Sequence, residues 1–155
     1  MTDKLPTTTL GIRMANPEDI VHIDHLDSFS ASPTRDIHRD MHKYFGSVDP
    51  STHERTLIFL VEFEGAVVAK AELMLPPQDS LKPIGYIKRV IVHPDHRGKG
   101  YAQSLIEHII TYGKTEQKLD AIDLHVWDQN ASAIHLYEKL GFDLQHRELY
   151  YRLSL

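Results

Sequence analysis

The chain has 155 residues, 41% of them hydrophobic and 25% charged, and its 22 acidic side chains outnumber 17 basic ones to give a net charge of −5. That length accommodates one domain with an ordinary core, and the acidic balance argues against a general nucleic-acid binder and agrees with a cationic substrate. With no cysteine, disulfides, thiolate metal sites and a cysteine nucleophile are excluded. No apolar run approaches the roughly 18 residues of a membrane span, and the first residues hold no apolar signal segment. A cytoplasmic protein with neither membrane nor nucleic-acid partners is expected.

After a loose leader over 1–8, residues 9–15 read as a first strand. Asn16 suits a helix N-cap and Pro17 the first helical position, while Glu18 and Asp19 complement the helix dipole. Ile20, Ile23 and Leu26 recur at helical spacing, so a helix is predicted to about Phe29, broken over 30–34. A second, polar and irregular helical stretch is predicted over 35–45, followed by a loop. Residues 56–64 form a strong strand pattern, Glu64-Gly65 a turn, and 66–75 the returning hairpin strand. The next strand is 84–92. A helix over 100–117 places Ala102, Leu105, Ile106, Ile109 and Gly113 on one face. In 120–127, Ile122, Leu124 and Val126 alternate with Asp123, His125 and Trp127, a strand pattern. Residues 130–140 form a short helix ended by Gly141, and 142–155 supply one or two closing strands. The predicted fold class is α/β (α+β): a single domain over 1–155, with a mixed, largely antiparallel sheet and helices on both faces.

Two stretches carry chemistry. In the first, Val90-Ile91-Val92-His93-Pro94 ends a strand, and Arg97-Gly98-Lys99-Gly100-Tyr101-Ala102-Gln103 turns into a helix. Amides at a helix N-terminus lack intrahelical acceptors and carry the positive end of the dipole, so they suit phosphate. Gly98 and Gly100 let the main chain approach a ligand, and Arg97 and Lys99 add positive charge. The two common phosphate-loop patterns, Gly-x-x-x-x-Gly-Lys-Ser/Thr and Gly-x-Gly-x-x-Gly, are both absent, and taken alone the turn matches many solvated surface turns. In the second stretch, Asn130, Ala133 and Tyr137 lie along one helix stripe. Asn130 is equally an N-cap there, and Tyr137 equally a core aromatic with its hydroxyl at the rim.

Taken together, Val-x-Pro-x-x-Arg-Gly-Lys-Gly-x-Ala and, some thirty residues later, Asn-x-x-Ala-Ile-x-Leu-Tyr-Glu-Lys-Leu-Gly-Phe resemble the GCN5-related N-acetyltransferase (GNAT) superfamily. The resemblance implies acetyl-CoA as co-substrate, with amides of residues 98–103 wrapping its pyrophosphate. Cofactor contacts are then implied for Val90, Ile91, Val92, Arg97, Gly98, Lys99, Gly100, Tyr101, Ala102, Gln103, Asn130, Ala133 and Tyr137. The strand end 90–92 would pair with the pantetheine arm in a gap opened by a bulge and by splaying strands 84–92 and 120–127. Val90 N–H would face the thioester carbonyl, Asn130 would hold the pantetheine arm, and Tyr137 would protonate the departing thiolate.

Acetyl transfer to an amine also needs a base, because an alkyl amine with a pKa of about 10.4 is mostly protonated near neutral pH. The family's frequent catalytic Glu position, four residues before Val90, is Tyr86 here, and a second position falls on His125. An imidazole, ordinarily titrating near about 6.5, suits the task, although a strand histidine facing outward is commonly just solvated. Glu72 and Glu62 are lesser candidates, since most strand glutamates face water. His22/His25 and His38/His42 have helical spacing but no third ligand, so no metal is expected. The acceptor side, over 29–53 and 76–83, is weakly patterned, with Asp27, Ser28, Asp36, Asp40 and Tyr44 available to meet an ammonium group. A small-molecule amine is the preferred acceptor, a peptide N-terminus the alternative, and a non-catalytic acetyl-CoA sensor the competing class. Homodimers are frequent in the family, and 148–155 could pair across one.

Overall fold

The computed structural model describes residues 10–155, so the leader over 1–8 and the first residue of the predicted strand lie outside the described residues, as does the side chain of His42. The described chain up to His125 forms one compact unit and Val126–Leu155 a second.

In the first unit the sheet runs β1 (Leu10–Met14), β2 (Arg55–Phe63), β3 (Ala66–Leu75), β4 (Ile84–Val92) and β5 (Ala121–Asp123), neighbours in that order. Every pairing is antiparallel except β4 with β5, which is parallel. The helix of 16–29 splits in two. Asn16 caps a 3-10 turn over Pro17–Asp19 in a capping box, and α1 follows over Ile20–Asp27. Between 35 and 45 only a 3-10 turn, Met41–Tyr44, forms. That stretch has no amphipathic repeat to hold a full helix against the sheet. The second helix, α2, spans Tyr101–Thr115, and Tyr101 rather than Ala102 joins Leu105, Ile106, Ile109 and Gly113 on its buried face.

Strand alternation gives the sheet two covered faces. Ile58 and Leu60 of β2 pack with Ile20, Ile23, Ile37 and Tyr44 on the α1 side. Phe59, between them, turns to the other side, where the His108 and Tyr112 rings of α2 stand 5.4 and 5.3 Å from it edge-on. Opposed residues share a face, so the pairs Ile58–Glu72 and Leu60–Lys70 put both charged side chains of β3 beneath α1.

In the second unit, α3 (Ala131–Lys139) is capped by Asn130, whose Oδ1 accepts from Ala133 N at 3.2 Å, and Gly141 follows at φ +99°. The closing strands expected over 142–155 do not form, and β5 stops at Asp123 instead of running to 127. A strand persists only where a neighbour completes its hydrogen-bond ladder, and among the described residues nothing pairs with 124–155 as a strand. Leu149, Tyr151 and Leu153 are consequently exposed. No helix is long and apolar enough to cross a membrane, among the described residues.

Candidate active site

β4 delivers the chain to the glycine-spaced turn. His93 Nδ1 accepts from Asp95 N at 3.1 Å and caps a 3-10 turn over Pro94–His96, after which Arg97 Nε donates to Val92 O at 3.1 Å. Gly98 and Gly100 then adopt φ of +77° and +81°, where a side chain would be strained. Gly100 is the N-cap of α2 and offers no side-chain acceptor. Among the described residues, no protein acceptor takes the amides of Gly98, Lys99, Gly100, Tyr101 or Ala102. Tyr101 itself is buried with its ring near Phe63, so it offers only backbone to a ligand. These donors, the dipole of a 15-residue helix and the exposed Arg97 and Lys99 give the turn the donors and positive charge that an anion requires. Gly100→Val is expected to weaken coenzyme A binding at least tenfold by calorimetry. Gly65→Val, at the same φ in the β2–β3 turn, should carry a similar backbone cost and leave that affinity intact.

Upstream of the turn, β4 carries an irregularity that the sheet resolves into a bulge. Lys70 pairs with Ile91 and Glu72 with Lys88, so Arg89 and Val90 together stand opposite Ala71. Arg89 takes the left-handed region at φ +51°, unusual for a side chain of that size. Next to it, β4 and β5 pair only from Ile84–Ala121 to Tyr86–Asp123. Beyond those three pairs the ladder ends, so Val90–Val92 has no strand partner on that side among the described residues.

Where that ladder ends, Tyr86 Oη and His125 Nδ1 are 2.7 Å apart, a hydrogen bond across 39 residues of sequence. The two positions considered for the base are therefore one pair. Glu62 and Glu72 are otherwise engaged. Glu62 accepts from Arg13 Nε at 2.7 Å, and Arg13 also holds Asp19 with two bonds of 2.8 Å. The Arg13 bonds outweigh the effect of burial and keep the Asp19 carboxyl below its ordinary range.

Glu72 does not face water at all: both Glu72 and Lys70 are 0% exposed. Arg35 Nη1 donates to Glu72 Oε1 at 2.8 Å, Arg35 Nη2 bonds Oε2, and Lys70 Nζ donates to Oε2 at 2.5 Å. Asp27, from the end of α1, stands 2.8 Å from Lys70 Nζ and 3.0 Å from Arg35 Nη2. Arg89 Nη1 lies 3.8 Å from Asp27, while its Nη2 donates to Pro33 O at 2.8 Å. Burial alone would push the Glu72 carboxyl up, but the bonds from Arg35 and the charge of Lys70 outweigh it and hold it below its usual range. Asp27 and Tyr44 are thus structural, Tyr44 being buried with the Arg35 guanidinium 4.6 Å above its ring. Sequence reasoning missed this network. The one available signal was opposite charges at i and i+2 on β3, which share a face.

His25 packs its ring edge-on against Phe29 at 5.1 Å and near His93 at 5.6 Å. In the second unit, Ala133 and Tyr137 are half-buried on one stripe of α3. The Tyr137 ring meets Phe142 edge-on at 5.9 Å, and burial raises the pKa of its hydroxyl. Asn130 Oδ1 is spent on the cap, leaving the carboxamide NH2 to donate. A cleft of about 410 Å3 lined by Arg55, Pro76, Pro83 and Leu119 lies at the opposite end of β4 and contains none of these groups.

A mixed five-stranded sheet with helices, its bulged fourth strand leading into a glycine-spaced turn at a helix N-terminus, gives the frame in which the comparisons with known proteins can be read. The acetyltransferase (GNAT) family matches residues 18–142, and the chain belongs to it. Spermidine N(1)-acetyltransferase of Escherichia coli K12 is 28% identical over 88% of this chain and 74% of its own length. Its namesake in Vibrio cholerae is 41% identical over 49% of this chain, which spans about half (47%) of that protein. An aminoglycoside N-acetyltransferase solved with coenzyme A superposes with a TM-score of 0.75 at 18% identity, covering 98% of this chain and all (100%) of that one. A Trypanosoma brucei acetyltransferase gives a TM-score of 0.70 at 22% identity, over 94% of this chain and 100% of its own. Both likenesses concern the fold, a mixed and mostly antiparallel five-stranded sheet with helices.

Proposed function

We propose that the chain is an N-acetyltransferase that moves an acetyl group from acetyl-CoA to a primary amine of a small molecule by direct attack. The observation that carries this reading is the run of amides over 98–102 with no protein acceptor among the described residues, directly after a strand whose pairing with β5 ends at Tyr86–Asp123. Names of the relatives, spermidine and aminoglycoside acetyltransferases, support a small amine as acceptor and acetyl-CoA as donor. Acetyl-CoA is an intracellular metabolite, so the reaction belongs to the cytoplasm.

The amides over 98–103, with Arg97 and Lys99, hold the pyrophosphate. Val90–Val92 would pair through its backbone with the pantetheine arm, and the family resemblance gives the carboxamide of Asn130 a part in holding that arm. The Val90 N–H donates to the thioester carbonyl as negative charge develops on its oxygen. His125, hydrogen-bonded to Tyr86, takes a proton from the acceptor's ammonium, directly or through water, so that the neutral amine can attack the thioester carbonyl carbon and the C–S bond can break. Tyr137 returns a proton to the sulfur, and a hydroxyl whose pKa is raised by burial remains protonated to do so.

The test is acetyl-CoA consumption over a panel of amines and amino-terminal peptides. His125→Gln is expected to lower kcat about 10²-fold. Tyr86→Phe, which leaves the ring but removes its hydrogen bond to the imidazole, is expected to lower kcat less, about tenfold. An unchanged kcat in His125→Gln assigns the proton to solvent instead.

A further inference from the structure

Six charged side chains meet on the α1 side of the sheet beside the bulge: Asp27, Arg35, Lys70, Glu72, Lys88 and Arg89. Four are cations and two are carboxylates. Both oxygens of Glu72 are taken by Arg35 and Lys70, and those of Asp27 face Lys70, Arg35 and Arg89. Lys88 is left over. It lies across from Glu72 in the ladder, yet its Nζ has only the Met74 thioether, 3.9 Å away, as a hydrogen-bond partner among the described residues. It is half-buried, and burial together with the charges of Arg35, Arg89 and Lys43 lowers its pKa against the pull of Glu72. A half-buried ammonium with no direct ion pair among the described residues is unfavourable until an anion arrives.

Lys88 also stands in a telling place. It is two residues before Val90 and shares its sheet face with Tyr86, because Met74–Tyr86 and Glu72–Lys88 are successive same-face pairs. On the reading above, that is the side from which the amine attacks and beside the pair that takes its proton. We propose that Lys88 binds a carboxylate on the acceptor, so that the substrate is an amine bearing a carboxylate, such as an amino acid, rather than a polyamine. The surplus positive charge of the cluster attracts such an acceptor and repels a polycation. This separates the chain from the spermidine enzymes it matches in sequence.

The inference rests on the acetyltransferase reading, and matched acceptors separate the two. L-Lysine against cadaverine, and L-alanine against ethylamine, differ only in the carboxylate, and spermidine completes the set. The expected result is a kcat/KM at least tenfold higher for the carboxylate-bearing member of each pair, carried mainly by KM. In Lys88→Met and Lys88→Gln that ratio should collapse towards one, and Lys88→Arg should restore part of it. Two variants of different polarity guard against misfolding, which urea midpoints report. A wild-type preference for cadaverine or spermidine, or an undiminished ratio in the Lys88 variants, overturns the inference and leaves the acetyltransferase intact. Absence of transfer to all five acceptors, with coenzyme A still bound, overturns the small-amine acetyltransferase reading together with it.

Discussion

Glu72→Ala should destabilise the fold by about 3–5 kcal/mol, because it leaves Arg35 and Lys70 facing one another in the interior with one carboxylate instead of two. For a chain of this size that corresponds to a fall in melting temperature of roughly 10 °C. Glu72→Gln, which preserves shape and one acceptor, should cost less. The pH dependence fixes the sign of the effect. The folded state holds the Glu72 carboxyl below its usual range, so its contribution is complete above the unfolded-state value of about 4.3 and is lost as pH falls through the lower folded-state value. Urea unfolding of the wild type and Glu72→Gln at a series of pH values should therefore show a gap that is constant near neutrality and closes in acid. A gap that persists unchanged at low pH would mean that the carboxylate charge contributes nothing there.

Tyr137→Phe should lower kcat by about 10²–10³-fold, the range that loss of a positioned general acid produces. Coenzyme A affinity by calorimetry should scarcely change, since the ring and its edge-on contact with Phe142 remain. The wild-type hydroxyl, its pKa raised by burial, should add no basic limb to the rate profile below the ordinary tyrosine pKa of about 10. An unchanged kcat would remove Tyr137 from its role. Wild-type protein that binds acetyl-CoA but consumes none would instead favour a sensor module.

Local signals in the chain proved dependable where one element sufficed to generate them. The β2–β3 hairpin, the bounds of β3 and β4, the glycine turn and the caps by Asn16, Asn130 and Gly141 all follow from patterns within about ten residues. The same reasoning failed where a distant partner decides. Lys70 and Glu72 alternate with Ala69, Ala71 and Leu73 as solvent-facing residues would, and only the arrival of Asp27 and Arg35 over that face buries them. The strands expected over 124–127 and 142–155 have the right alternation but no ladder to complete, so the pattern alone could not make them strands.

The bulge illustrates the boundary most clearly. Nothing in Lys88-Arg89-Val90 marks it, because Arg89 is not a glycine and its positive φ is imposed by the register on either side and by the grip of Pro33 and Asp27 on its guanidinium. The sequence by itself determined the family, the glycine-spaced turn and the candidates His125 and Tyr137, since those depend on side-chain identity and short-range periodicity. Only the tertiary structure decided that Tyr86 and His125 are one hydrogen-bonded pair, that Glu72 is buried among cations and that Lys88 forms no ion pair among the described residues. Those outcomes depend on strand register and on which loop covers which face, and both are settled by contacts between residues far apart in the chain.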